Sequence, residues 1–323
     1  MWRRSLIAAI AGLVLVGASA PLLAQSYPDR AIKLIVPAPP GGQTDVLARY
    51  LGQRLQAALG QNVIVDNRAG AGGAIGARVA ATAEPDGYTL FFGNTSTLAV
   101  IPAVSKNAGY DPVKNFAPIA SVSEGYMILT VHPDFPAKTL PEFIAYAKAN
   151  PGKLNFGNAG PGNVTHLTGE MLRAATGIEF VNVPHRGGAE SITALLGRQV
   201  DFVLESPVVL LPLIREGKLR ALAVTSAQRK SEIADIPTMR EGGADFVATL
   251  LTGVVAPAGT PAAAVARLSA AINESLKTPD MQETLVKFGS ESKITSPEDF
   301  AAFMAAETRK WSDVAKNAHV QID

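Results

Sequence analysis

The chain has 323 residues, 29 of them basic and 28 acidic, a net charge of +1, and no cysteine. Near-neutral charge withholds the electrostatic footprint of nucleic-acid or anionic-membrane binders, and the missing thiols exclude disulfides and thiolate metal centres. A length of this order divides into about two domains of ~100–200 residues each.

At the start, Arg3 and Arg4 precede "SLIAAIAGLVLVGASAPLLA", the layout of a secretory signal, with cleavage expected after Ala24. The apolar run from Ser5 to Gly17 is short for a membrane span of ~20 residues. Export of a cysteine-free chain points to a periplasm.

Strand-like and helix-like runs then alternate with short Gly/Pro punctuation. "IKLIV" (32–36) reads as a strand and Thr44 to Leu59 as a helix. "NVIVDN" (62–67) and "YTLFFG" (88–93) are the next strands, with a Gly-rich loop between them opening a helix near Gly73. This βαβαβ rhythm predicts a mainly parallel sheet with helices on both faces. A second series starts with "YMILTV" (126–131) and a helix over Leu140 to Ala149. It continues through "LNFG", "EFVNVP", "VDFVLE" and "LRALAVT", each as apolar as a buried parallel strand. After a long apolar strand within 246–259, helices are expected from Pro261 to Leu276, Pro279 to Phe288 and Pro297 to Asn317. The strands at 121–131 and 246–255 are expected to cross between two lobes. One lobe takes residues 25–125 and 247–323, the other 126–246, with the last helices packing back on the first. Hinged receptors and many two-domain enzymes are both built this way.

Four strand-end loops stand out. In "PAPPGGQTD", Pro40, Gly41 and Gly42 leave bare backbone, and Thr44 and Asp45 stand at a helix start, where unpaired N–H groups and the helix dipole favour an anion. An ordinary βα turn capped by Thr or Asp reads the same way. "GNTST" ends on Asn94, Thr95, Ser96 and Thr97. "FGNAGPGNVTHLTGE" turns at Ala159 and Gly160 and enters a helix through Thr165 and His166. "PHRGGAESI" sets Arg186 beside Gly187 and Gly188, with a helix from about Ala189. Each alone reads as a capped turn. Their repetition is the stronger signal, because ligands of open α/β sheets sit at the carboxyl ends of the strands.

Catalytic patterns fare badly. "DNRAGAGGAIGA" (66–77) misses the dinucleotide fingerprint, since the third glycine falls on Ile75, and reads as a tight strand-to-helix crossing. There is no nucleophile elbow, zinc-protease helix or P-loop. His132, His166, His185 and His319 are scattered without metal-ligand spacing. Glu205 and Ser206 have no identifiable base beside them and remain pocket candidates. No cofactor or metal is expected.

The blocks "YPDRAIKLIVPAPPGGQTDVLAR", "VDNRAGAGGAIGA", "PDGYTL", "YDPVKNFAPI", "GKLNFGNAG", "GRQVDFVLES", "GKLRALAVTS" and "APAGTP" resemble, in one order over essentially the whole mature chain, the Bug-type receptors of tripartite tricarboxylate transporters. The resemblance implies a two-lobe periplasmic-binding-protein fold, type II-like, with mostly parallel mixed sheets and a two-strand hinge. It also implies a small carboxylate as ligand, handover to a membrane permease, and a monomer. Carried over, the family's ligand loops fall on Gly41 to Asp45, Asn94 to Thr97, Ala159 to His166 and Arg186 to Ala189, with Glu205 and Ser206 bordering the cleft. Three departures stand out: His185-Arg186 where relatives commonly have Tyr-Lys, Leu250-Leu251-Thr252 where they often have an aromatic run, and Glu205 where aspartate is common. Together they point to a monocarboxylate with a polar or cationic far end. A signalling receptor and an exported hydrolase or transferase are the alternative readings.

Overall fold

The computed structural model describes residues 27–322; the expected signal, residues 1–24, lies outside them. The first half runs β1 (Ile32–Val36), α1 (Gln43–Leu59), β2 (Val63–Asn67), α2 (Ala74–Ala81), β3 (Thr89–Asn94), a π-helical turn over Ser96–Val100 continuing into α3 (Ile101–Val104), and β4 (Phe116–Gly125). Then come β5 (Ile128–Val131), α4 (Leu140–Ala149), β6 (Leu154–Asn158), α5 (Val164–Thr176), β7 (Phe180–Pro184), α6 (Gly188–Leu196), β8 (Phe202–Glu205), α7 (Pro207–Arg215) and β9 (Arg220–Val224). The chain closes with β10 (Leu250–Pro257), α8 (Ala262–Leu276), α9 (Pro279–Lys287), β11 (Ser290–Ser292) and α10 (Pro297–Asn317).

Local signals set these elements. In α1, Leu47, Ala48, Leu51, Leu55 and Leu59 recur at helical spacing and are buried, and Gly60 ends the helix in the left-handed region. Two sheets result, one of six strands in the order β11-β4-β10-β3-β1-β2, the other of five in the order β7-β6-β8-β5-β9. Parallel pairing is confined to β2-β1-β3 and β7-β6-β8. β10, returning from the smaller sheet, runs against β3 and β4, and β5, arriving from the larger, runs against β8 and β9. The expected predominance of parallel pairing therefore gives way wherever the chain crosses between sheets.

The crossings are bound to each other. Thr225 is fully buried; its Oγ1 accepts the Met127 N–H at 2.9 Å and donates to the Ala248 carbonyl at 2.6 Å. Each sheet carries apolar packing on both faces. The larger has Leu34, Leu51, Leu90 and Ile272 on one side and Phe91, Phe116, Phe300 and Met304 on the other. In the smaller, Leu129, Phe143, Phe156 and Phe202 form a cluster that also takes in Val100, Val104, Trp311 and Ala315. So α10 does not pack on the first lobe alone: its first half lies on the larger sheet and its second half joins the core of the smaller one. Gly253 allows this approach, since a Cβ there would stand 2.2 Å from Phe300 Cζ. Gly253→Ala is expected to cost roughly 1–3 kcal/mol by overpacking, read as a lower urea midpoint at unchanged slope.

Candidate ligand-binding cleft

Between the sheets lies a cleft of about 1100 Å³, at the top of the ~300–1,000 Å³ usual for small-ligand pockets. Its walls are the loops at 37–44, 69–73, 94–96, 159–165 and 185–189, the end of β8 at Glu205 and Ser206, and β10 at Leu250 to Thr252. Every residue singled out in the sequence borders this space except Asp45, Thr97 and His166.

These three are turned elsewhere. Asp45 is 2% exposed. Its Oδ2 accepts the Gly41 N–H at 2.9 Å and Arg49 Nε at 3.1 Å, and its Oδ1 accepts Asn67 Nδ2 at 2.9 Å. Burial opposes its charge, but the bonds from Arg49, Gly41 and Asn67 outweigh it and hold the carboxyl below the usual range. Asp45 thus fastens the loop where the sequence had it beside the ligand. Thr97 is buried and trades hydrogen bonds with Asn94. His166 sits on α5 beside Glu170, which Arg173 and Asn182 also engage; burial pushes its imidazole down.

Two further hydroxyls border the cleft, each already accepting one backbone hydrogen bond. Thr95 Oγ1 accepts the Leu251 N–H of β10 at 2.6 Å, and Ser96 Oγ accepts the Val164 N–H at 3.1 Å, linking the larger lobe to the start of α5. What remains open is mostly backbone. α1 starts at N-cap Gly42 and α6 at N-cap Gly187, and neither receives a side-chain cap. Gln43, Thr44, Gly188 and Ala189 of these first turns line the cleft, and helix geometry leaves their N–H groups without partners four residues back. α5, by contrast, is capped by Asn163. Asn94 Nδ2 reaches Thr44 Oγ1 at 3.3 Å, placing an amide and a hydroxyl beside the α1 start. Arg186 is exposed, and its guanidinium has no partner among the described residues. Opposite in character is Glu205, 6% exposed, whose burial pushes its carboxyl up to about 7 against the lowering effect of Ser191 and the Ser206 backbone.

The sequence predicts a tight strand-to-helix crossing at the 69–73 loop. It is close: a Cβ on Gly73 would stand 2.6 Å from Thr97 Cγ2. It also walls the cleft. The available signal was its position, a glycine-dense strand end like the other four loops. Ile322 borders the cleft as well, and nothing in the sequence marked it. Among the described residues no group of three His, Asp or Glu side chains is placed to hold a metal ion, and no helix is long and apolar enough to cross a membrane.

Two α/β lobes about a cleft walled by helix starts define the periplasmic-binding-protein class. The sequence profile of the tripartite tricarboxylate transporter family receptor matches residues 47–320, and the chain belongs to that family. It is similar to Protein BugT of Bordetella pertussis, with 36% identity over 95% of this chain and 94% of the relative. A Rhodopseudomonas palustris protein, MatC, solved with bound malate is 33% identical, with a TM-score of 0.83 over 89% of this chain and 99% of that one. An R. palustris protein solved with adipate is 32% identical, with a TM-score of 0.87 over 91% and 99%. The family's members are receptors, not enzymes, and the solved BugD, 35% identical with a TM-score of 0.85 over 91% of this chain and 99% of that one, is a periplasmic binding protein.

Proposed function

We propose that this receptor captures a small carboxylate between its lobes and delivers it to the membrane permease of a tripartite transporter, after export on a signal cleaved behind Ala24. The observation that carries this reading is the pair of uncapped helix starts, α1 at Gly42 and α6 at Gly187, opening on one cleft beside an unpartnered Arg186. An anion entering there meets first-turn N–H donors from both lobes and a guanidinium, charge-assisted contacts that offset its desolvation. The backbone at 42–44 and 187–189, with Thr44, Asn94 and Arg186, forms the seat, and Glu205 and Ser206 border its α6 end. Relatives solved with malate and with adipate support a carboxylate of that size. The lobes divide at about residues 125 and 247, and the receptor works as a monomer.

A thermal-shift panel of C3 to C8 and aromatic carboxylates, each paired with its amide, tests the seat on ligand-stripped protein. A ligand specific for the native state raises the melting temperature with its concentration over Kd. The expected result is a shift by at least one acid and none by its amide. Equal shifts by acid and amide would remove the anion seat from the α1 and α6 starts.

A further inference from the structure

We infer that Glu205 makes capture proton-linked: a ligand that brings a carboxylate against Glu205 is bound together with a proton taken up there, and a ligand that brings an ammonium against it expels one. This rests on the carboxylate seat proposed above and assigns the carboxyl packed beside its α6 end.

The geometry begins with Gly188. A Cβ there would lie 2.4 Å from Glu205 Oε2, so the first turn of α6 has been left without a side chain where the carboxyl packs against it. The carboxyl thus borders the cleft yet is almost wholly removed from water. Its donors are few. Ser191 Oγ lies 3.2 Å from Oε1, but the same hydroxyl lies 2.9 Å from the Gly188 carbonyl, so one proton serves two acceptors. The Ser206 backbone supplies the remaining hydrogen bond.

No cation among the described residues pairs with the charge. β6 runs beside β8 with Phe156 and Gly157 opposite Phe202 and Val203, β5 presents Ile128 as the direct partner of Glu205, and α5, packed on β8, carries His166, Glu170 and Arg173, which engage one another. α6 brings Glu190, whose carboxylate is turned away to the Arg186 N–H. α7 opens with Pro207, Val208 and Val209. The facing loops at 37–44 and 69–73 and the Leu250 to Thr252 segment carry no titratable side chain. Among the described residues His185 and Arg186 are the only other titratable groups on the cleft wall, and Glu205 makes no ion pair with either. A buried carboxylate so placed holds its proton toward neutral pH, in line with burial pushing it up to about 7.

The chemistry balances without a covalent step. A second ligand carboxylate against an ionised Glu205 puts two like charges in one desolvated space, which a single shared proton from solvent relieves by forming a carboxyl–carboxylate hydrogen bond. A ligand ammonium reverses this: it pairs with the ionised form, and the proton of Glu205 returns to solvent.

Isothermal titration calorimetry at pH 7, repeated in phosphate and in Tris, reads the proton directly from the difference in apparent heat. The probes are succinate, glutarate and adipate against 4-aminobutyrate, 5-aminovalerate and 6-aminohexanoate. Expected are uptake of a fraction of a proton per diacid bound, release of a fraction per amino acid bound, and a diacid affinity that falls with rising pH by up to tenfold per pH unit. Glu205→Gln should abolish both proton terms and flatten the pH dependence, while its melting temperature at pH 5, where both side chains are neutral, stays near that of the parent. Binding of either probe class with no proton exchange and a flat affinity from pH 6 to 8.5 overturns the inference but leaves the carboxylate seat intact. If none of these acids nor any monocarboxylate binds, the seat itself fails and the inference with it.

Discussion

Asp45→Ala is expected to weaken capture of every carboxylate ligand about thirtyfold and to destabilise the free protein by roughly 2–4 kcal/mol. The loss in stability follows from the three hydrogen bonds that end on this side chain. Removing it leaves the Gly41 N–H, Asn67 Nδ2 and Arg49 Nε without their acceptor, in a pocket where the carboxyl is almost wholly buried. Arg49 is half exposed and can turn to water, which keeps the cost below that of a fully enclosed pair. The loss in affinity is separate. Gly41 sits at φ +87°, held by its bond to Asp45; once released, the loop must be ordered by the ligand, at ~1 kcal/mol or more per residue. Calorimetric titration gives the first effect and urea unfolding the second.

The pH dependence has a definite sign. The native carboxyl of Asp45 lies below its unfolded range, so its contribution is present above the unfolded pKa and is lost as pH falls through the native one. Glu205 acts in the opposite direction. Its native value of about 7 stands above the unfolded 4.5, so its contribution is complete below 4.5 and declines as pH rises toward and through 7. Asp45→Asn should flatten the acid limb of the stability profile and Glu205→Gln the limb near neutrality.

Trp311→Ala carries the largest expected loss of stability, roughly 3–5 kcal/mol for a fully buried aromatic. The ring lies in the cluster shared between α10 and the smaller sheet, with its Nε1–H donated to Glu307 Oε2 at 3.0 Å. Truncation therefore opens a void between the lobes and strips a largely buried carboxylate of a donor. Trp311→Phe restores most of the packing and forfeits the hydrogen bond, at about 1–2 kcal/mol. With the 24-residue leader removed, Trp311 is the only tryptophan, so parent unfolding can be followed by its red-shifting emission, and the variants by circular dichroism. Equal midpoints for parent and alanine variant would mean that the shared cluster does not hold the second half of α10.

Strand ends were legible because their signals are local: an apolar run, a glycine or proline, then a helical period. The α1 start, the Arg186 loop and the end of β8 all follow from such signals and all reach the cleft. The less legible parts depend on partners far along the chain. Asp45 turns inward because Asn67, 22 residues away, meets it; only Arg49, one helical turn on, was visible nearby. The Thr95 and Ser96 hydroxyls are taken by backbone donors 156 and 68 residues distant. The antiparallel course of β5 and β10 likewise depends on which sheet the chain has just left, which no period-2 pattern encodes.

An anion seat made from backbone has a consequence for how such receptors diverge. No side-chain replacement other than proline deletes an N–H group, so other substitutions at 42–43 or 187–189 act through volume and allowed φ rather than through chemistry. Gly41 and Gly187 have nothing within 4 Å of a new Cβ, yet Gly41 lies at φ +87°; Gly188 would strike Glu205. The recognition that can be rewritten one residue at a time lies in the side chains around that seat, at Glu205, Leu250 and Thr252, and at His185 and Arg186. A saturation library of the cleft should accordingly split in two: loop positions that accept few residues but keep the same ligands, and wall positions that accept many residues and exchange one acid for another.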